Sequence, residues 1–237
     1  MQMRFLPDAY LTTPWAIPAS ASDNLPVVHL GHGVSLAAPG AQAGRQPNLA
    51  ADIARAPRRR DLAQTPLGRQ LEVVLSAIRL GGSPQQCFVV PFDGFATSRD
   101  QLAQQAARFA ELDQALVAFY RATMELGIAE RVTVYTDTEF NRTLAPNRTG
   151  GSDHAWGGHQ LVLGGAVLGG RVYGRFPSLA IGGPDDAVGN GTWRPTTSNA
   201  SFASTLAGWY GVNDFSGIPE YASEASAMQS RLDFLTR

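Results

Sequence analysis

The chain is short of several things, and each shortage excludes a class of explanation. Its 237 residues include one cysteine, Cys87. No internal disulfide can therefore brace the fold, and the thiol reads as a core residue ahead of the apolar run at 88–90. Charged residues make up 16% and the net charge is −1, so no overall field draws the chain to nucleic acid or an anionic membrane. The arginines at 58–60 read as a solvated loop rather than a phosphate site. No apolar run reaches the ~18–20 residues that a membrane span needs. Residues 1–20 lack the basic and then apolar pattern of a secretory signal, so no signal peptide is visible.

What is present suits a folded core. Hydrophobic residues make up 44%, an ordinary globular share that fits one large domain or two small ones. Residues 1–64 read as an irregular N-terminal segment, with a strand at 27–34 ending in a glycine turn and a short helix at 48–56 stopped by Pro57. Residues 65–237 read as the main core. There Thr65 and Pro66 have the types of an N-cap and a first helical residue. Leu67, Leu71, Val74, Leu75 and Ile78 then share a helical face.

The run CFVVPF at 87–92 reads as a buried strand. A long amphipathic helix over 101–127 follows, carrying Leu102, Ala106, Phe109, Leu112, Leu116, Phe119 and Tyr120 on one face. A β-branched strand covers 131–137, a glycine-rich hairpin 160–174, and a closing helix 201–212. Helices alternating with strands predict an α/β layered fold with a mostly parallel sheet. Ligands in such folds sit beyond the carboxyl ends of strands, where Asp93 and Glu139 both fall.

The stretch 136–176 concentrates the chemistry. Glu139, Asp153, His154 and His159 are of the types that bind a divalent metal, and the glycines around them let backbone approach an ion closely. Each has a plainer alternative. Asp153 and His154 could order a glycine loop, and Glu139 could cap a loop or pair with Arg142. Arg142 could hold an anion, or form a salt bridge to Glu139 or Asp153. His29 and His32 stand on an extended segment at a spacing that separates their rings. No serine sits in a nucleophile-elbow pattern. Trp156, Trp193 and Trp209 read as core or pocket wall. The matches to the glycosylation pattern at Asn141, Asn147, Asn190 and Asn199 read as chance.

Several segments occur in an order that resembles a known family: PLGRQL, DGFATSRDQL, LDQALVAFY, VTVYTDTEFNRT, GGSDHAWGGHQLVLGGAVLGGRVYGRFP, GGPDD, WRPTTS and LAGWYGV. Over about residues 65–215 the chain resembles the bacterial domain of unknown function 1501 family, placed in the alkaline phosphatase and sulfatase superfamily. The resemblance implies a three-layer α/β/α sandwich, a site for one or two metal ions, and a polarised phosphate or sulfate attacked by a Ser, Thr or Cys-derived nucleophile. It also implies twin-arginine export to the periplasm.

The chain departs from that pattern. The family's usual glycine-phenylalanine-aspartate-threonine-histidine motif reads here as Gly94, Phe95, Ala96, Thr97 and Ser98, and its paired histidines as His159 and Gln160. The N-terminal part that supplies the superfamily's nucleophile and first metal aspartate is not recognisable. The leading expectation is therefore a degenerate or partial member, a binding or assembly module with at most a residual site for one zinc, manganese or calcium ion. It would act as a homo-oligomer or with a partner protein. The alternative is an active metal-dependent hydrolase of phosphate or sulfate esters, with Glu139, Asp153, His154 and His159 on the metal, Arg142 on the anion, and Asp93 replacing the lost aspartate.

Overall fold

A computed structural model of the chain describes residues 27–31, 34–37, 48–62, 64–80, 86–138, 140–212 and 231–236. These divide into two compact units interleaved along the sequence. The first takes Met1–Phe95, Gln105–Thr138 and Val162–Gly165; the second takes Ala96–Gln104, Glu139–Leu161 and Ala166–Arg237.

In the first unit, strands β1 (Val27–Gly31), β2 (Val34–Ala37) and β3 (Cys87–Val89) form an antiparallel sheet in the order β1-β2-β3. The segment expected as one strand at 27–34 is thus two paired ones. Helices α1 (Leu49–Arg55), α2 (Pro66–Leu80) and α3 (Gln101–Glu125, whose first turn belongs to the second unit) follow the expected periods. Thr65 caps α2 as its type suggests: its Oγ1 accepts from Gly68 N at 3.0 Å. Glu111 of α3 accepts from Leu67 N at 3.0 Å and meets a second N–H left open by the helix start. Leu62, Leu67, Leu71, Val74, Phe88, Val90 and Phe119 are essentially sealed from solvent. Each such side chain contributes roughly 1.5–3 kcal/mol relative to an exposed one.

The expected face of α3 is buried only in its C-terminal half. Leu112, Ala115, Ala118, Phe119, Ala122 and Thr123 are buried and Leu116 packs against the core, whereas Leu102 is 86% and Phe109 51% exposed. The alanines between the large side chains let this helix approach the core closely. Phe109 instead meets Phe95 edge-on at 5.3 Å.

Strand β4 (Thr133–Tyr135) is fully buried and pairs antiparallel with β7 (Val162–Gly164). The expected hairpin at 160–174 is therefore split: its first arm pairs with β4, and its second pairs Val167 with Leu235. The double glycine explains the first choice. A Cβ at Gly164 would stand 2.6 Å from the Val132 carbonyl oxygen, and one at Gly165 would stand 2.7 Å from Ala129 backbone. Only glycine permits so close a passage. Among the described residues all strand pairs are antiparallel, and β3 and β4, joined through α3, belong to different sheets.

In the second unit, β5 (Asn141–Arg142) and β6 (His154–Ala155) form a short ribbon. Helix α4 (Asn199–Tyr210) is capped by Ser198, whose Oγ accepts from Ser201 N at 3.1 Å, and ends at Gly211 with φ +100°. The segment 231–236 lies along α4 and Ala166. Leu232 N donates to Thr205 Oγ1 at 2.7 Å, Thr236 N to Ala166 O at 2.8 Å, and Phe234 is buried against Phe202 and Tyr173.

Gly68 tests the packing of the first unit. It lies inside α2, where alanine is intrinsically favoured by ~1 kcal/mol, yet a Cβ there would overlap the Leu62 carbonyl oxygen. Gly68→Ala should therefore destabilise, by roughly 1–3 kcal/mol, as measured by urea unfolding. A stabilised variant would show that Leu62 does not lie on this helix.

Candidate functional site

The candidate site grows from two segments that run side by side in the second unit. Ser152 N donates to Thr97 O at 3.2 Å, and Arg99 and Gly150 form an antiparallel bridge. That sets Thr97 beside Ser152, with Ala96 and Asp153 the next residues along each segment. Thr97 and Ser152 point inward and are buried, while Ala96, Ser98 and Asp153 face solvent. Gly151 permits the approach, since a Cβ there would overlap the backbone of Ser98 and Arg99. Asp100, at φ +43°, turns the chain into α3, and its N–H donates to Thr149 O.

Asn147 holds the loop between the two segments. Its Oδ1 accepts from Thr149 N at 3.0 Å and Gly151 N at 3.0 Å, and its Nδ2 donates to Ser98 O at 3.0 Å. This is an Asx turn extended across to the neighbouring segment.

Inward from the loop lies a polar chain. Gln101 Oε1 accepts from Thr97 Oγ1 at 2.9 Å and, closely, from Ser152 Oγ. Ser152 Oγ in turn accepts from Arg142 Nε at 3.2 Å, and Ser152 O accepts from Arg142 Nη2. Among the described residues no carboxylate lies within ion-pair distance of Arg142. The expected salt bridge to Asp153 is therefore not formed, and Glu139, the other expected partner, lies outside the described residues. Burial pushes the guanidinium below its usual value, and the Asp153 charge opposes that shift.

Asp153 and His154 are adjacent, and they meet different neighbours. Asp153 Oδ1 accepts from Asn147 Nδ2 at 3.4 Å, and its backbone is tied to Thr143 on both sides. His154 stands opposite Arg142 in the ribbon and stacks on Phe140 with centroids 3.9 Å apart. His159 is exposed beside the Phe176 ring at 4.9 Å. Glu139 lies outside the described residues, as do His32 and the side chain of His29. Asp93 is exposed on the first unit. Among the described residues no three His, Cys, Asp or Glu side chains gather as a metal set, so the donors described do not fit the shell of one ion. Trp193 is buried, as a wall residue should be, but Trp156 is 70% exposed.

Sequence reasoning missed the role of Asp185 and Asp186. Asp186 accepts backbone N–H groups from Gly182, Val188, Gly189, Gly191 and Thr192 at 2.8–3.3 Å. These hold its carboxyl far below the usual range, the Gly182 bond most strongly. Asp185 takes both arms of Arg175, at 2.9 and 2.6 Å, and Ser178 N at 2.7 Å. The signal was a carboxylate pair set among turn-forming glycines, a composition that suits a backbone nest folding round an internal anion. The nest bears on the site because Leu144 N and Ala145 N, just past Arg142, donate to Gly191 O and Asn190 O.

A family model described as a protein of unknown function (DUF1501) matches residues 39–192, well over half of the chain. No curated protein and no solved structure matches.

The Arg175 guanidinium first, and the Ser178 N–H second, hold Asp185 at about 2, below its ordinary 3.8. A depressed carboxylate stabilises the fold fully above its unfolded value, and that stability is lost as pH falls through the folded value. Stability should therefore fall from about pH 4 towards pH 2. Asp185→Asn should flatten that part of the profile and lower stability at neutral pH, as read by denaturant unfolding across pH. An unchanged slope in the variant would mean that Asp185 is not paired with Arg175.

Proposed function

We propose, on the premise that the chain belongs to the protein of unknown function (DUF1501) family, that it is a non-hydrolytic member acting as a binding or assembly module. One observation carries the reading: Thr97 O accepts from Ser152 N, so Ala96 and Asp153 are the next residues along two neighbouring segments. A dication there needs a second negative ligand beside Asp153, and Ala96 offers a methyl group. Ser98, two residues on, offers a neutral hydroxyl that replaces imidazole poorly. The remaining pair, Asp153 and His154, leaves such an ion under-neutralised, and affinity falls steeply with each lost ligand.

The frame around those positions is nevertheless intact. Thr97, Gln101, Ser152 and Arg142 form a continuous buried chain, and Asn147 fixes the loop beside it. A fold that keeps the support and lacks the ligands suits a protein that recognises something without cleaving it. The three-layer α/β/α architecture of the alkaline phosphatase and sulfatase superfamily, export to the periplasm, and an oligomeric or partnered state belong to the same proposal. The motif resemblance over residues 65–215 supports them.

The intact frame makes the reading testable by gain as well as loss. Metal content should be measured by mass spectrometry after soaking in zinc, manganese or calcium. Wild type should hold well under one ion per chain, and the double variant Ala96→Asp, Ser98→His should hold near-stoichiometric metal. The opposite pattern would favour the hydrolase: stoichiometric metal in wild type that is lost in both Asp153→Ala and His154→Ala.

A further inference from the structure

Helix α3 has a second ordered face. On the side away from buried Leu112, Ala115, Phe119 and Ala122 lie Ala110, Asp113, Val117, Arg121 and Met124, all exposed and all in the first unit. They recur at intervals of three, four, four and three residues, which keeps them on one stripe. The outward side of a globular helix is ordinarily polar. Here Val117 is 40% and Met124 49% exposed, and the two charges of the stripe are opposite in sign.

The intervals read the same from either end. Asp113 and Arg121 stand four residues before and after Val117, and Ala110 and Met124 stand seven. Eight residues of helix span about 12 Å, so the aspartate and the arginine are too far apart to pair along one helix. Among the described residues neither has an ion-pair partner.

We infer that this face of α3 is self-complementary and takes the same face of a second copy, antiparallel, about a two-fold axis passing at Val117. This gives a surface to the oligomeric state proposed above and does not depend on whether the chain holds metal. Val117 then meets Val117 of the other copy. Ala110 of each makes room for Met124 of the other, and Asp113 of each lies level with Arg121 of the other. Every contact off the axis is made twice, as an isologous interface requires.

Charge selects the direction as well as the partner. A parallel pair would set Asp113 against Asp113 and Arg121 against Arg121, and like charges facing each other disfavour it. A different protein would need the reversed charge pattern about an apolar centre, which this face already supplies for itself. One helix pair is a small interface, so a dissociation constant of about 10 µM is expected.

The test is sedimentation velocity of the full chain from about 1 to 500 µM, which brackets that constant. The sedimentation coefficient should rise from the monomer to the dimer value. Val117→Glu sets two carboxylates together on the axis and should weaken the dimer about a hundredfold. Asp113→Arg should weaken it about tenfold, because two attractive pairs become repulsive, and Arg121→Asp should do the same. Combining both reversals in one chain should restore association, and so should mixing the two single variants. All these side chains are exposed, so the urea midpoint of the monomer should not move.

A chain monomeric at every concentration would overturn the inference and leave the face to a different protein. A dimer indifferent to Val117→Glu, or one that the double reversal fails to restore, would overturn it as well. Should a single variant fail to fold, the doubly reversed chain and Val117→Glu still decide. None of these outcomes touches the metal measurement, by which the non-hydrolytic reading stands or falls separately.

Discussion

The buried hydroxyl of Ser152 is the point on which the second unit's site depends. It gives its proton to Gln101 and takes one from Arg142, while its backbone pairs with Thr97. Three segments distant in sequence are thereby fixed in one register. With solvent excluded from Ser152, each of these bonds is stronger than it would be in water, and losing one leaves the others unsatisfied. The exposed positions 96, 98, 153 and 154 inherit their placement from this chain beneath them. The surface can therefore change its chemistry while the support stays the same.

A second arrangement in the same unit is centred on an anion. The loop 182–192 closes on the Asp186 carboxylate, and its backbone then receives the N–H groups of Leu144 and Ala145. One half of the unit thus folds round an internal anion. In the other, a cation is left with neutral partners. The first is saturated, because five N–H groups fill the carboxylate's acceptor positions.

Much of this was legible in the sequence where the physics is local. The helix starting at Pro66 follows from Thr65 and the spacing of Leu67, Leu71 and Val74, and the closing helix from the small and apolar residues after Ser198. Pairing that depends on distant backbone was not legible. The two arms of the segment 160–174 read as a hairpin, because nothing in them reveals that Gly164 and Gly165 must pass against Val132 and Ala129. The buried face of α3 was legible at Leu112 and Phe119, but nothing in the spacing shows that it stops short of Leu102 and Phe109. At the site, residue types pointed to the stretch 136–176. Spacing alone could not tell that Asp153 and His154 meet different neighbours, or that Arg142 leans on Ser152 instead of a carboxylate.

The interleaving of the two units has a consequence for how the chain is made. Among the described residues, strand β4 pairs with β7, some thirty residues later. Ala166 O and Leu168 N pair with Thr236 N and Phe234 O, some seventy residues further on. A chain emerging from the ribosome can thus finish its first unit once residue 165 has appeared, whereas the second waits for residues beyond 230. Contacts so far apart in sequence close slowly, and unsatisfied strand edges and apolar surface stay open in the meantime. Synthesis of this chain should therefore lean on chaperones most during its last seventy residues, after the first unit is already complete.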